Sequence, residues 1–190
     1  MQTMAELAEQ YHQLFLIAHL LSIAVGLGAA TVADFLFFRF LKDLKITKEE
    51  STILSSLSQV IWVALIFIVL SGLALYLSSA SAYNQTPKFL VKMIVFAVII
   101  MNGIGLNFLV APRVEQIFTG QLLQIPRYWR RLAFALGSIS ITSWYTAAVI
   151  GAYRGMPGSF ADILKWYLTV LVAAIVASQL AETLFARRKL

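Results

Sequence analysis

The chain has 190 residues, of which 60% are hydrophobic and 13% charged, and its mean hydropathy is +0.81. A soluble domain is usually about 45–50% apolar and about 25% charged, so one small water-facing core cannot hide this much apolar surface. The absence of cysteine excludes disulfides, thiolate metal sites and thiol catalysis. The net charge of +6 does not favour nucleic acid as a partner, because the basic residues lie in loops between apolar runs.

Five apolar runs are long enough to cross the hydrocarbon core of a bilayer, which is about 30 Å thick. They cover residues 13–38, 60–80, 89–111, 132–153 and 163–185. Every proline lies at or beyond the end of a run, where it does not interrupt a helix. We therefore predict an all-α integral membrane helical bundle, with a single domain over residues 1–190, five transmembrane helices and the lipid bilayer as its surroundings.

The distribution of basic residues predicts the orientation of the bundle. When the segments outside the apolar runs, together with the first turns of the runs that follow them, are assigned alternately to two sides, eleven Lys and Arg residues fall on one side and four on the other. Cytoplasmic loops carry the excess of basic residues, so the N-terminus is expected outside and the C-terminus in the cytoplasm. The segment before the first run has no basic residue, so we expect this run to be kept as a span rather than removed as a signal peptide. These features indicate a multi-pass protein of a bacterial inner membrane.

The first loop contains a helix-start signal. Thr47 is followed three residues later by Glu50, the pattern of a capping box in which each side chain bonds the backbone of the other residue. The helix that begins here is expected to continue into the second span, which gives a long helix with a cytoplasmic extension.

Both histidines lie on the first predicted span. His12 and His19 are separated by about 10.5 Å along a helix axis, which is too far for one metal ion to bind both. His12 is expected at the membrane interface. His19 lies deeper, and two interpretations stay open for it: a neutral imidazole bonded to a neighbouring helix, or a group that ligates a metal or transfers a proton.

Asp34 lies towards the other end of the same span. It is expected either to form a structural pair with Arg113 or Arg39, or to relay a proton or cation, because a charged carboxylate is costly at membrane depth. On the third span, Asn102 and Asn107 are expected to make hydrogen bonds between helices.

Two lysines lie at the start of the third span. Lys88 is placed to reach the outer headgroups, as long basic side chains near helix ends commonly do. Lys92 lies one turn deeper, and a bound anion or a carboxylate partner would explain its position.

Small residues allow close helix contacts on the first and third spans. They are Gly26, Gly28, Ala29, Ala30 and Ala33 on the first span, and Gly103 and Gly105 on the third. The contacts are expected within one molecule or across a homodimer formed through the first span.

The third span resembles that of a known family. The stretch Pro87-Lys88-Phe89-Leu90-Val91-Lys92, continuing to Asn107 and then to Val110-Ala111-Pro112-Arg113, resembles the copper-resistance protein D family. His19 followed by Gly26 and Gly28 is similar to that family and to the bacterial membrane-bound protoporphyrinogen oxidases. The resemblance covers the first three spans, and it implies that His19 and Lys92 belong to a haem or metal site. The chain differs in having no second buried histidine and no methionine-rich segment, which leaves a second haem ligand unnamed.

From these residues we expect haem b in the outer half of the bundle and a redox role. His19 would ligate the iron. Lys92, Lys88 or Arg154 would bind the propionates, since hydrogen bonds between charged groups are stronger than those between neutral groups. Met93 or a second copy of the chain would supply any second ligand.

Two alternatives belong to other functional classes. The first is a transporter or channel for a small cation, copper or a proton, with His19, Asn102 and Asp34 as steps along the path. The second is a non-catalytic membrane assembly subunit in which the polar residues serve packing alone. The sequence leaves open whether the protein is an enzyme.

Overall fold

The computed structural model describes residues 4–41, 47–84, 86–113, 126–153 and 155–187, and these residues form helices without any strand. The helices are α1 (Met4–Gln10), α2 (His12–Leu41), α3 (Lys48–Ser78), α4 (Ala80–Asn84), α5 (Pro87–Gly105), α6 (Arg127–Ala152) and α7 (Phe160–Arg187). Five of them, α2, α3, α5, α6 and α7, are long and apolar enough to cross a membrane. The predicted all-α multi-pass fold is confirmed.

Four of the five spanning helices are longer than the apolar runs that predicted them. The run 163–185 lies inside α7, and the run 13–38 lies inside α2. High hydropathy marks the part of a helix that lipid surrounds. Backbone hydrogen bonds extend the helix through polar turns at its ends. We call the two ends of the bundle the His12 end and the Glu182 end; basic-residue counts predict that the His12 end faces outward.

The helix start at Thr47 is confirmed. Thr47 Oγ1 accepts a hydrogen bond from the Glu50 amide at 3.2 Å, and Glu50 Oε2 accepts one from the Thr47 amide at 2.8 Å. The resulting helix has 31 residues. At about 1.5 Å per residue it is longer than the ~30 Å hydrocarbon core, so it extends beyond the membrane at the Glu182 end.

At its Glu182 end α5 continues through one π-helical segment, Leu106–Val110. Asn107 in this segment donates from Nδ2 to the carbonyl of Gly103 at 2.9 Å, and its Oδ1 accepts from the hydroxyl of Ser58 on α3 at 3.0 Å. This bond confirms the interhelical role expected for Asn107. The sequence analysis did not predict the π-helical segment.

The central helix of the bundle is α6. Half of its membrane segment is buried inside the molecule, compared with 11% to 28% for the other four. Its neighbours are α2, α5 and α7, while α3 packs along α2. The buried polar side chains of α6 are small hydroxyls: Ser138, Ser140, Thr142, Ser143 and Thr146. Such side chains bury little polar surface, so α6 can lie at the centre of the bundle.

The small residues of α2 differ in what they contact. A Cβ at Gly26 would lie 2.7 Å from Cη2 of Trp144 and 3.2 Å from Cβ of Ala64, so only glycine fits there. Ala29 and Ala30 are also buried within the molecule, whereas Gly28 is exposed and a Cβ there would meet nothing within 4 Å. The dimer through this span stays a prediction.

Candidate functional site

His19 lies on the face of α2 that packs against α3, and it is 8% exposed. Its Nδ1 lies 3.0 Å from the hydroxyl oxygen of Ser71. The Ser71 hydroxyl donates its proton to the carbonyl of Phe67 at 2.5 Å, so it accepts from the imidazole. The proton of His19 is therefore assigned to Nδ1, and Nε2 keeps its lone pair.

Residues from three other helices lie at the depth of His19. Gly72 of α3 lets the imidazole approach closely, since a Cβ there would lie 3.2 Å from Cε1 of His19. Lys92 of α5 lies near enough to interact electrostatically with His19, and a Cβ at Gly151 of α6 would lie 3.7 Å from Lys92 Nζ. We call His19, Ser71, Gly72, Lys92 and Gly151 the histidine layer. The two residues that the resemblance selects therefore lie in the same part of the bundle.

Lys88 and His12 lie nearer the His12 end than this layer. Lys88 Nζ donates to the carbonyl of Tyr153 at 3.1 Å, and Nδ1 of His12 lies 2.9 Å from the hydroxyl of Ser78. Arg154, the third residue expected to meet an anion, lies outside the described residues. Within the part of the chain that is described, the ion pairs are both made by Glu182 at the opposite end, and Lys92 has no carboxylate at ion-pair distance.

A second polar group lies deeper in the bundle. Asp34 is 6% exposed and interacts with the hydroxyl of Ser140 on α6, where a Cβ at Gly137 would lie 3.8 Å from Asp34 Oδ1. Asp34 Oδ2 and Asn102 Oδ1 are buried and have no hydrogen-bond partner among the residues described. We call Asp34, Ser140 and Asn102 the aspartate layer.

Asp34 makes no ion pair with Arg113 or Arg39 within the described part of the chain. The guanidinium of Arg113 lies 4.7 Å from the centre of the Trp129 ring, and Arg39 is exposed. The carboxylate that pairs with arginine is that of Glu182, which is 0% exposed and lies 2.5 Å from Arg130 and 3.3 Å from Arg131. The sequence analysis did not predict this pair, because helical periodicity does not say which helix lies opposite which.

The histidine layer and the aspartate layer are separate. His19 and Asp34 lie on the same helix, about 22 Å apart along its axis. Buried apolar side chains fill the bundle between them, including Ile68, Val95 and Trp144. The three residues named for a cation path therefore do not form one polar cluster.

Comparison of the chain with protein-family models, curated proteins and solved structures gave no match. Among the residues that the structure describes, no group of three or more His, Asp or Glu side chains is placed to hold a metal ion. The histidine layer contains one imidazole and one basic side chain that interacts with it electrostatically.

Proposed function

We propose that the protein is a bacterial inner-membrane protein that binds haem b at the histidine layer and has a redox role. The observation that carries the proposal is the pairing of His19 with Lys92. One side chain offers a ligand nitrogen, and the other offers a positive charge with no described carboxylate beside it.

The hydrogen bonding of His19 fits an axial ligand. Histidines that bind metals almost always donate their other ring N–H to a fixed acceptor, which sets the tautomer and the ring orientation. Ser71 is that acceptor here, at 3.0 Å from Nδ1. Its own bond to the Phe67 carbonyl holds the hydroxyl in place, and the His19 ring also interacts with the Ile68 backbone. Nε2 would then be the nitrogen that binds the iron.

The lysines fit the acidic edge of haem. Lys92 lies beside His19, and Lys88 lies one turn nearer the His12 end. Charge-assisted hydrogen bonds from these ammonium groups would hold the propionates. Val91 and Val95 are 0% exposed, so the tightly packed interior favours a porphyrin that lies towards the His12 end of the bundle.

His19 would hold the iron from this chain. Met93 is 43% exposed on the surface of α5, so it is not expected to hold the group together with His19, and a second copy of the chain would supply any further ligand. When bound, haem would supply one-electron chemistry at its iron. The chain's own residues would orient the group, exclude lipid and balance its charge.

Copper or proton transport past His19 is less favoured. Lys92 places a positive charge beside the imidazole, and this charge would repel a cation at the first step of such a path. An assembly subunit is the remaining alternative, and it predicts a colourless protein.

The proposal is tested by absorption spectra of detergent-purified protein from haem-replete cells, oxidised and then reduced with dithionite. We expect a Soret band with reducible α and β bands in the wild type, lost in His19→Ala. The matched control is His12→Ala, which removes the other histidine of the same helix and should leave the bands intact. In Lys92→Met, loss of a charge-assisted hydrogen bond should weaken haem binding by about 10- to 100-fold. A colourless wild type, or equal loss in both histidine variants, would contradict the proposal.

A further inference from the structure

The aspartate layer contains two buried oxygen atoms that lack hydrogen-bond partners. Asp34 and Asn102 are each 6% exposed, and Asp34 Oδ2 and Asn102 Oδ1 make no hydrogen bond within the described part of the chain. Polar atoms buried at membrane depth are costly when left unpaired, since no bulk water can reach them. A bound ligand that contacts both atoms would remove this cost.

The helix register places Asn102 at the depth of Ser140, with which Asp34 interacts. A Cβ at Gly105 of α5 would lie 3.6 Å from Leu136 of α6, and a Cβ at Gly151 of α6 would lie 3.7 Å from Nζ of Lys92 of α5. The two helices are therefore antiparallel, and these two contacts show which of their residues lie at the same depth. Asn102 is about one turn from Gly105, and Ser140 is about one turn from Leu136 in the same direction. Asp34 reaches Ser140 from α2. Three helices thus contribute oxygen atoms at one depth.

The chemistry of these oxygens selects the charge of the occupant. One carboxylate with neutral amide and hydroxyl oxygens carries a single negative charge, and no arginine or lysine is ion-paired with Asp34 in the described ranges. A monovalent cation would make the layer neutral, whereas a divalent ion would leave a net positive charge in the membrane. Oxygen atoms are the ligands that hard cations prefer.

We propose that Asp34, Asn102 and Ser140 form a binding site for one Na⁺ ion. The ion accepts lone pairs from Asp34 Oδ2 and Asn102 Oδ1, which accounts for both unpaired atoms at once. A proton on Asp34 is the competing occupant, because it also makes the carboxyl group neutral. The site is independent of the proposed haem site, from which the apolar core containing Trp144 separates it.

The test uses a hydrophobic carbodiimide, which adds covalently to a protonated carboxyl group in a membrane protein. The full-length protein in detergent is treated at fixed pH in NaCl or choline chloride, and the modified residue is located by peptide mass spectrometry. We expect Asp34 to react in choline, and Glu182 to stay unmodified because its side chain is 0% exposed and paired with two arginines. With Na⁺ at ten times its Kd, the ion-free fraction falls to about one eleventh, so labelling should slow about tenfold.

Two serines of α6 provide a matched pair of variants. Ser140→Ala removes the hydroxyl that interacts with Asp34, and Asn102→Leu removes the amide oxygen; each should abolish protection by Na⁺. Ser138→Ala removes a hydroxyl that donates to the Ala135 carbonyl of its own helix, so protection should persist. His19→Ala should also keep it, which separates this site from the haem proposal.

Thermal unfolding gives a second measurement. Na⁺ should raise the Tm of the wild type relative to choline and leave that of Asp34→Asn unchanged, because a ligand stabilises only the state that binds it. An equal rate of Asp34 labelling in NaCl and in choline chloride would show that a proton or water alone occupies the layer. This result would overturn the proposal. Equal protection in the Ser140→Ala and Ser138→Ala variants would overturn it as well, as would an absence of both labelling and a Na⁺-dependent Tm.

Discussion

Among the charged side chains that the structure describes, that of Glu182 is the most completely enclosed by protein. Its side chain is 0% exposed, and both carboxylate oxygens are bonded, one to Arg130 and the other to Arg131. Gln179, one turn away, donates to the Arg131 carbonyl at 3.0 Å. These bonds tie α7 to the first turn of α6, so the fifth span is held by polar contacts at its Glu182 end.

Removing this charge should destabilise the bundle. In Glu182→Gln, Arg130 loses its partner while its side chain is only 13% exposed. Breaking a buried pair from one side typically costs about 3–5 kcal/mol, and we expect a loss in that range in the free energy of unfolding. Detergent-based equilibrium unfolding measures it. The control is Glu49→Gln in the exposed first turn of α3, where less than about 1 kcal/mol should be lost. Equal losses in the two variants would contradict the structural role of Glu182.

At the scale of residues, the sequence identified side chains but not their partners. His19, Lys92 and Asp34 could be selected because ionisable residues at membrane depth are rare. Ser71 could not, since a serine in an apolar span has no distinguishing pattern. Its role depends on α3 lying against α2, and on its own bond to the Phe67 carbonyl. Neither fact follows from spacing along one helix.

The sequence predicted close helix contacts at both Gly26 and Gly28 of α2. Of the two, Gly26 packs closely against another helix. Gly26 lies under the Trp144 ring, whereas Gly28 lies at the surface of α2. Because both belong to the same small-residue pattern, only the packed structure distinguishes them.

Alanine at these two positions should have opposite effects. In Gly26→Ala the new Cβ would lie 2.7 Å from Trp144 Cη2, and overpacking of this kind typically costs about 1–3 kcal/mol. Gly28→Ala meets nothing within 4 Å and gains helix propensity, so stability should be unchanged or rise by up to about 1 kcal/mol. The free energy of unfolding of each variant is compared in the same detergent. Destabilisation by Gly28→Ala equal to that by Gly26→Ala would mean that α2 packs elsewhere than this structure places it.

Element boundaries were predictable where a local signal exists. The capping box predicted the start of α3, because its two hydrogen bonds lie within four consecutive residues. The π-helical segment at Leu106–Val110 has no comparable local signal. There Asn107 also bonds to Ser58 of another helix, so tertiary contacts take part in the local structure.

For the whole molecule, composition and run length sufficed to predict five membrane helices, because lipid permits few alternatives to a helix. They did not predict that α6 lies at the centre. The fourth predicted span is the least apolar of the five by composition, and its serine and threonine residues are buried.

The orientation of the whole bundle can be measured with single cysteines, because the natural chain has none. We expect Asn84→Cys, at the His12 end, to react with a membrane-impermeant maleimide on intact spheroplasts. Glu49→Cys, on the α3 extension, should react only after permeabilisation. These expectations follow from the basic-residue excess at the Glu182 end. The reverse pattern would establish the opposite orientation and contradict this prediction.

The contact between Gly26 and Trp144 also limits how the sequence can drift over evolutionary time. The indole occupies the space that a side chain at position 26 would need. A larger residue at position 26 is therefore compatible with the fold only where position 144 carries a smaller one. We expect the two positions, 118 residues apart in sequence, to vary together in volume among proteins that share this bundle. Position 28 should vary freely, with no counterpart elsewhere in the chain.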